Sequence, residues 1–198
     1  MSTKWERTHR RLLDVAHAMV SDRPEHLVTM EEVAKGAGIS RQALYNHFPS
    51  KNHLMVAVVD DVHQVHDGDV SLEAINDHDH PHDSLRAAAR RSMTHHHHLY
   101  PAGRSLLSHR RHDDTVAAAH DARRQRRRSA HLKLAQRLHS GGSLRDGLDP
   151  DTAADLIDML HSMEVYEMLV IDGGWDPDDY ENELFEVTKR VVLEPSLH

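Results

Sequence analysis

The chain has 198 residues, is 38% hydrophobic but only 4% aromatic, and carries a formal net charge of −8. That length supports one or two domains around a core of Leu, Val, Ile, Met and Ala, which apart from Val and Ile favour helices. The absence of cysteine rules out disulfides, thiolate nucleophiles, thiol redox sensing and Cys-based zinc sites. No stretch approaches the ~18 apolar residues of a membrane span. Residues 1–11 are charged, unlike the apolar run of a signal peptide. The expectation is a cytoplasmic protein with no membrane contact.

The charge is unevenly spread. Residues 1–55 hold 8 Lys/Arg against 6 Asp/Glu, a balance of +2, and the remainder carries −10. A mildly basic head on an acidic body suits a protein that meets DNA at one end.

Apolar residues recur at helical spacing and no segment alternates as a strand would. Trp5, Leu12, Val15, Ala16 and Met19 share a face, predicting a helix over 4–21, ended by 22–28 with Pro24. Thr29 and Glu32 have the spacing of a capping box for a short helix over 30–36, with Val33 and Ala34 inward. Gly36 and Gly38 are expected to close that helix in the left-handed conformation. Ser40 caps a third helix over 41–48. Pro49 ends it, and Ser50 caps a fourth over 51–66, with Leu54, Ala57, Val58, Val62 and Val65 on its apolar face. Residues 67–83 read as a linker or loop. Five further helices are predicted over 84–98, 101–110, 113–140, 151–172 and 177–193. Pro101, Gly141 to Pro150, and Gly173–Gly174 before Pro177 mark the breaks. Asp149 or Asp151 caps the fourth of these, and Asp176 with Pro177 starts the fifth.

The stretch Thr29–Lys51 carries the functional signal. A helix, a glycine-containing turn and a second short helix make a helix-turn-helix. Val33, Ala34, Ala37, Ile39 and Leu44 pack its two helices. The outward face of the second helix is then Arg41, Gln42, Tyr45, Asn46 and His47. Arg and Gln can read guanine and adenine edges, and Tyr and His can reach phosphates. Ser50 and Lys51 bring a helix N-terminus and a cation toward a phosphate.

At these residues the sequence resembles the TetR family. Its pattern appears as Leu12-Leu13-Asp14-Val15-Ala16, then Thr29, Val33-Ala34, Ala37-Gly38-Ile39-Ser40, Leu44-Tyr45, His47-Phe48, Ser50-Lys51 and Leu54. The resemblance implies an all-α protein of about nine helices. Residues 1–50 would form a three-helix DNA-binding domain. Residues 51–198 would form a ligand-binding and dimerisation domain, with 51–66 as connector. It implies a homodimer on a palindromic operator, acting as a repressor released by a small ligand. Carried over by position, Thr29, Ser40, Arg41, Gln42, Tyr45, His47 and Lys51 are the DNA contacts, and Leu44 and Phe48 are core.

Beyond residue 60 the reading rests on patterning alone. Helices 151–172 and 177–193 are apolar enough to pair with the same two helices of a twofold mate. For an unknown small-molecule effector the candidate lining is Met93, His97, Tyr100, Leu107, His109, His131, Leu134, Met159, Met163 and Tyr166. Leu99, Leu106, Leu138 and His161 are further candidates.

The chain holds 21 histidines, among them His78, His80 and His82, a His95–His98 tetrad, and His109 with His112. The alternative they raise is a metal- or pH-responsive DNA-binding sensor. Four consecutive helical residues fan around the axis, however, so at most two of the tetrad can share an ion. A DNA-binding scaffold without a ligand is the other alternative. The run Arg123–Arg128 is expected to be the solvated face of a long helix rather than a nucleic-acid patch. No catalytic motif such as G-x-S-x-G or H-E-x-x-H is present, so no enzyme activity, resident cofactor or metal is expected.

Overall fold

The structure, a computed structural model, describes residues 3–22, 28–66, 71–72 and 74–195, and only the backbone of 64–66, 101 and 105. Pro24, the side chain of Val65 and residues 67–70, all used in the sequence reading, lie outside the described residues. Among those described there are nine helices and no strand. They are α1 (Lys4–Asp22), α2 (Met30–Gly36), α3 (Arg41–His47), α4 (Lys51–His66), α5 (Pro81–His109), α6 (Asp114–Ser140), α7 (Pro150–Leu160), α8 (Met163–Tyr166) and α9 (Pro177–Val192). A 3₁₀ turn spans Ala74–Asn76.

The chain forms two compact units, one from 1–65 with 99–121 and the other from 66–98 with 122–198. In the first, Leu12, Ala16 and Val20 of α1 are buried together with Val33, Ala34, Leu44, Phe48, Leu54 and Val58. Trp5 was expected on this inward face but is 56% exposed. It lies in the first turn of α1, against the rings of His9 and His47. Gly38 takes the left-handed φ of 65° in the α2–α3 turn, whereas Gly36 does not. Gly36 answers a different need: a Cβ there would stand 2.8 Å from Val15 Cγ1 of α1, so its smallness permits the helix crossing.

The second unit buries Ile75, Leu85, Ala88, Ala89, Leu134, Ala135, Ala153, Ile157, Leu184 and Phe185. Two predicted boundaries are corrected here. The helices expected over 84–98 and 101–110 are one helix, α5, which begins at Pro81 and runs through Pro101. A proline removes one backbone hydrogen bond, and the many turns on either side of it maintain the helix.

The helix expected over 151–172 is instead broken. α7 ends at Leu160, and Ser162 caps α8 by accepting from the Val165 N–H. Residues Glu167–Asp172 then wind as a π-helix. Gly173 allows this wide exit, since a Cβ there would come 2.6 Å from the Leu169 carbonyl oxygen. Gly174, at φ 68°, completes the turn. Of the two possible caps for α7, Asp149 is the one used: its carboxylate accepts from the Thr152 N–H at 3.0 Å.

Candidate DNA-binding face and polar centre

α2 and α3 are held by their caps. The Thr29 hydroxyl accepts from the Glu32 N–H at 3.2 Å, and the Glu32 carboxylate accepts from the Thr29 N–H at 3.0 Å. This is the expected capping box. Ser40 Oγ accepts from the Ala43 N–H at 3.1 Å and starts α3. Leu44 is buried, which turns Arg41, Gln42 and Asn46 outward and leaves Tyr45 and His47 half-buried. The Arg41 guanidinium lies 5.5 Å from the centre of the Tyr45 ring, and Gln42 donates to Asn46 Oδ1 at 3.3 Å. Ser50 Oγ accepts from the His53 N–H at 3.3 Å, with Lys51 as the first residue of α4. The candidate DNA contacts thus gather on the outer side of α3 and the adjoining caps.

One neighbour was missed in the sequence. Trp5 stacks on the His47 ring at 4.8 Å and on His9 at 4.9 Å, and His9 packs on Phe48 at 4.7 Å. Burial lowers the His9 pKa, with His47 acting in the same direction and Asp61 against it. The spacing of Trp5 and His9, one helical turn apart, was the available signal.

The candidate effector residues divide. Tyr100, Leu107 and His109 belong to the first unit, and Met93, His97, His131, Leu134, Met159, Met163 and Tyr166 to the second. Within the second unit His131, Leu134 and Tyr166 are buried, and His97 hydrogen-bonds the Tyr166 hydroxyl at 3.3 Å. His97 is itself exposed, and so is Met159, at 56%.

The second unit also has a polar centre that periodicity did not reveal. His161, fully buried at the break after α7, bridges Ser92 Oγ of α5 at 2.9 Å and Thr188 Oγ1 of α9 at 3.1 Å. Its ring lies 5.6 Å from that of His131 on α6. His131 Nδ1 stands 3.5 Å from Asp158 Oδ1, at the edge of hydrogen-bonding range. Asp158 is held by Arg127, whose Nε and Nη2 donate at 2.6 and 3.3 Å. His96 packs against Tyr166, and Tyr166 against Tyr180, at 5.6 and 5.4 Å. Burial lowers the pKa of all three imidazoles, that of His96 to about 3. Asp158 is held well below the usual carboxylate range, because the Arg127 guanidinium that donates to it and the adjacent His131 ring outweigh its burial.

The basic run of α6 is not simply a solvated face. Arg127 and Arg124 pair with Asp158, and Arg128 pairs with Asp155 at 2.6 Å and Asp151 at 3.2 Å, tying α6 to α7. The His95–His98 tetrad splits as helical geometry requires, with His95 and His96 buried and His97 and His98 exposed. Among the described residues no three His, Asp or Glu side chains converge as a metal site. No described helix is long and apolar enough to cross a membrane.

Residues 12–58 match the family of bacterial regulatory proteins of the tetR family. Over 64 residues the chain is 36% identical to the HTH-type transcriptional regulator EthR of Mycobacterium tuberculosis, a match covering 32% of this chain and 29% of EthR. The chain therefore spans under a third of the curated relative it matches. A protein of Mesorhizobium loti described as a TetR-family transcriptional regulator shares the fold at a TM-score of 0.74 and 23% identity, covering 97% of this chain and 100% of that one. AibR, solved with isovaleryl coenzyme A and operator DNA, gives 0.66 at 20% identity, covering 91% and 97%. Residues 12–58 thus carry the tetR-family match, and the fold of TetR-family regulators is shared over nearly the whole chain.

Proposed function

We propose that the chain is a homodimeric transcriptional regulator that binds a palindromic operator through residues 1–50. It acts as a repressor, released when a small ligand binds within residues 51–198. The observation that carries this reading is the outer face of α3, where buried Leu44 leaves Arg41 and Gln42 exposed and Tyr45 half-buried, with Lys51 starting α4, all within the family match. In this reading Arg41 and Gln42 contact base edges. Thr29, Ser40, Tyr45, His47 and Lys51 position the phosphate backbone.

The ligand half of the proposal draws on the fold shared with AibR, whose structure holds both a ligand and operator DNA. The second unit contributes Leu134, Met163 and Tyr166 as apolar surface and His97 and His131 as polar groups. A pair of copies would present two α3 helices to half-sites one DNA turn apart, about 34–36 Å.

The test begins with selection of bound duplexes from a random library, followed by fluorescence anisotropy on the selected sequence. The Tyr45→Ala, Lys51→Ala double variant is expected to lose tight binding. Full affinity in that variant would remove α3 and the α4 N-terminus as the DNA-binding face.

A further inference from the structure

The polar centre of the second unit contains more hydrogen-bonding capacity than its own side chains use. His96 Nδ1 and the Tyr180 hydroxyl are buried and have no hydrogen-bond partner among the described residues. Their residues are only 6% and 1% exposed. Leaving a buried polar atom unmatched costs roughly 1–3 kcal/mol, so two such atoms, on rings that both pack against Tyr166, point to an occupant.

The charges around the cluster say which kind. The titratable groups facing it are Arg91, His95 and His97 on α5, Arg127 and His131 on α6, Asp158 on α7, His161 at the break, and Tyr166 on α8 beside Tyr180 of α9. Asp158 is engaged by Arg127. The charges that bear on His96, from Arg127, His95 and Arg91, all oppose its protonation. The field at that ring is positive.

We propose that this centre is the head-group site of the effector, that the effector is a small organic monocarboxylate, and that it binds with uptake of a proton. The proposal rests on the reading of residues 51–198 as ligand-binding. The carboxylate accepts from the Tyr180 hydroxyl and from the Nδ1–H of His96, which becomes imidazolium on binding. One proton passes from solvent to the imidazole, and no covalent bond forms. Burial keeps the ring neutral, and an anion beside it favours the charged form.

The test uses acetate, butyrate, benzoate and phenylacetate with their primary amides as matched neutral probes. Binding is read by thermal shift, and by calorimetry in two buffers of different ionisation enthalpy. At least one carboxylate is expected to bind with about one proton taken up, tightening by up to about tenfold per pH unit between pH 8 and 6. Its amide should not bind. Tyr180→Phe removes a hydroxyl with no partner, so the empty variant should melt no lower than the parent while carboxylate affinity falls roughly 3–10-fold.

Binding by none of the four acids, equal binding of the amides, or unchanged affinity in Tyr180→Phe overturns the proposal. An amide that releases operator where the acids do not would sink the carboxylate and leave the regulator reading standing. Proton-linked acid binding by a protein that selects no DNA would do the reverse.

Discussion

The seven residues expected to meet DNA do not share one physical role. Thr29 and Ser40 are already engaged in helix caps, so replacing them would disturb the fold as well as any contact. Arg41 and Lys51 separate specificity from affinity. Arg41 is exposed on α3, where a guanidinium can read guanine in the major groove. Arg41→Ala should relax base preference at one position and cost about 1–3 kcal/mol on the preferred sequence. Lys51 begins α4. Lys51→Ala should weaken binding to every sequence alike and lower the slope of log affinity against log salt by about one. Anisotropy titrations over a salt series distinguish the two outcomes, and equal loss across sequences for both variants would refute the division.

Among the elements, the break between α7 and α8 departs furthest from what periodicity implies. Leu156, Ile157, Leu160, Met163 and Tyr166 keep helical spacing across it. The chain turns there because His161 leaves the helix to join Ser92 and Thr188, while Ser162 caps α8. His161→Ala leaves two buried hydroxyl partners and a void. Destabilisation of roughly 2–4 kcal/mol is expected, read from chemical denaturation with far-ultraviolet circular dichroism. A loss under about 0.5 kcal/mol would show that the break does not depend on the bridge. The same comparison explains the arginine run of α6, whose partners Asp151, Asp155 and Asp158 sit at helical spacing on α7.

For the whole molecule, acid should be the sensitive direction. His96, His131 and His161 all have lowered folded pKa values. Below the unfolded value of about 6.5 the unfolded chain takes up protons that the folded chain does not. Stability is therefore complete above about pH 7 and falls through pH 6 to 4, by up to three protons' worth of slope. Asp158 adds to the loss as pH falls further, since its folded pKa is also depressed. Denaturation midpoints that stay flat from pH 7 to 5 would contradict this.

Assembly is tested at the same scale. Met168, Ile171, Trp175 and Val187 are 58%, 45%, 41% and 37% exposed, an apolar exposure consistent with the proposed pairing through 151–172 and 177–193. Met168→Asp with Ile171→Asp should sediment as a monomer and lose tight operator binding. A dimeric double variant would move the interface elsewhere.

The residues alone were enough to reveal the helix-turn-helix, its capping box and the start points of most helices. Those features depend on neighbours three or four positions apart, as with Thr29 and Glu32 or Ser40 and Ala43. The path of α5 through Pro101 and the break at His161 were not legible in this way. A proline's local cost is set against the whole helix around it, and the partners of His161 are 69 and 27 residues distant. The stacking of Trp5 on His47, the closure of the α6 arginines on α7 and the gathering of His96, His131 and Tyr180 share that origin. Each joins side chains from different helices, and only tertiary packing decides which faces meet.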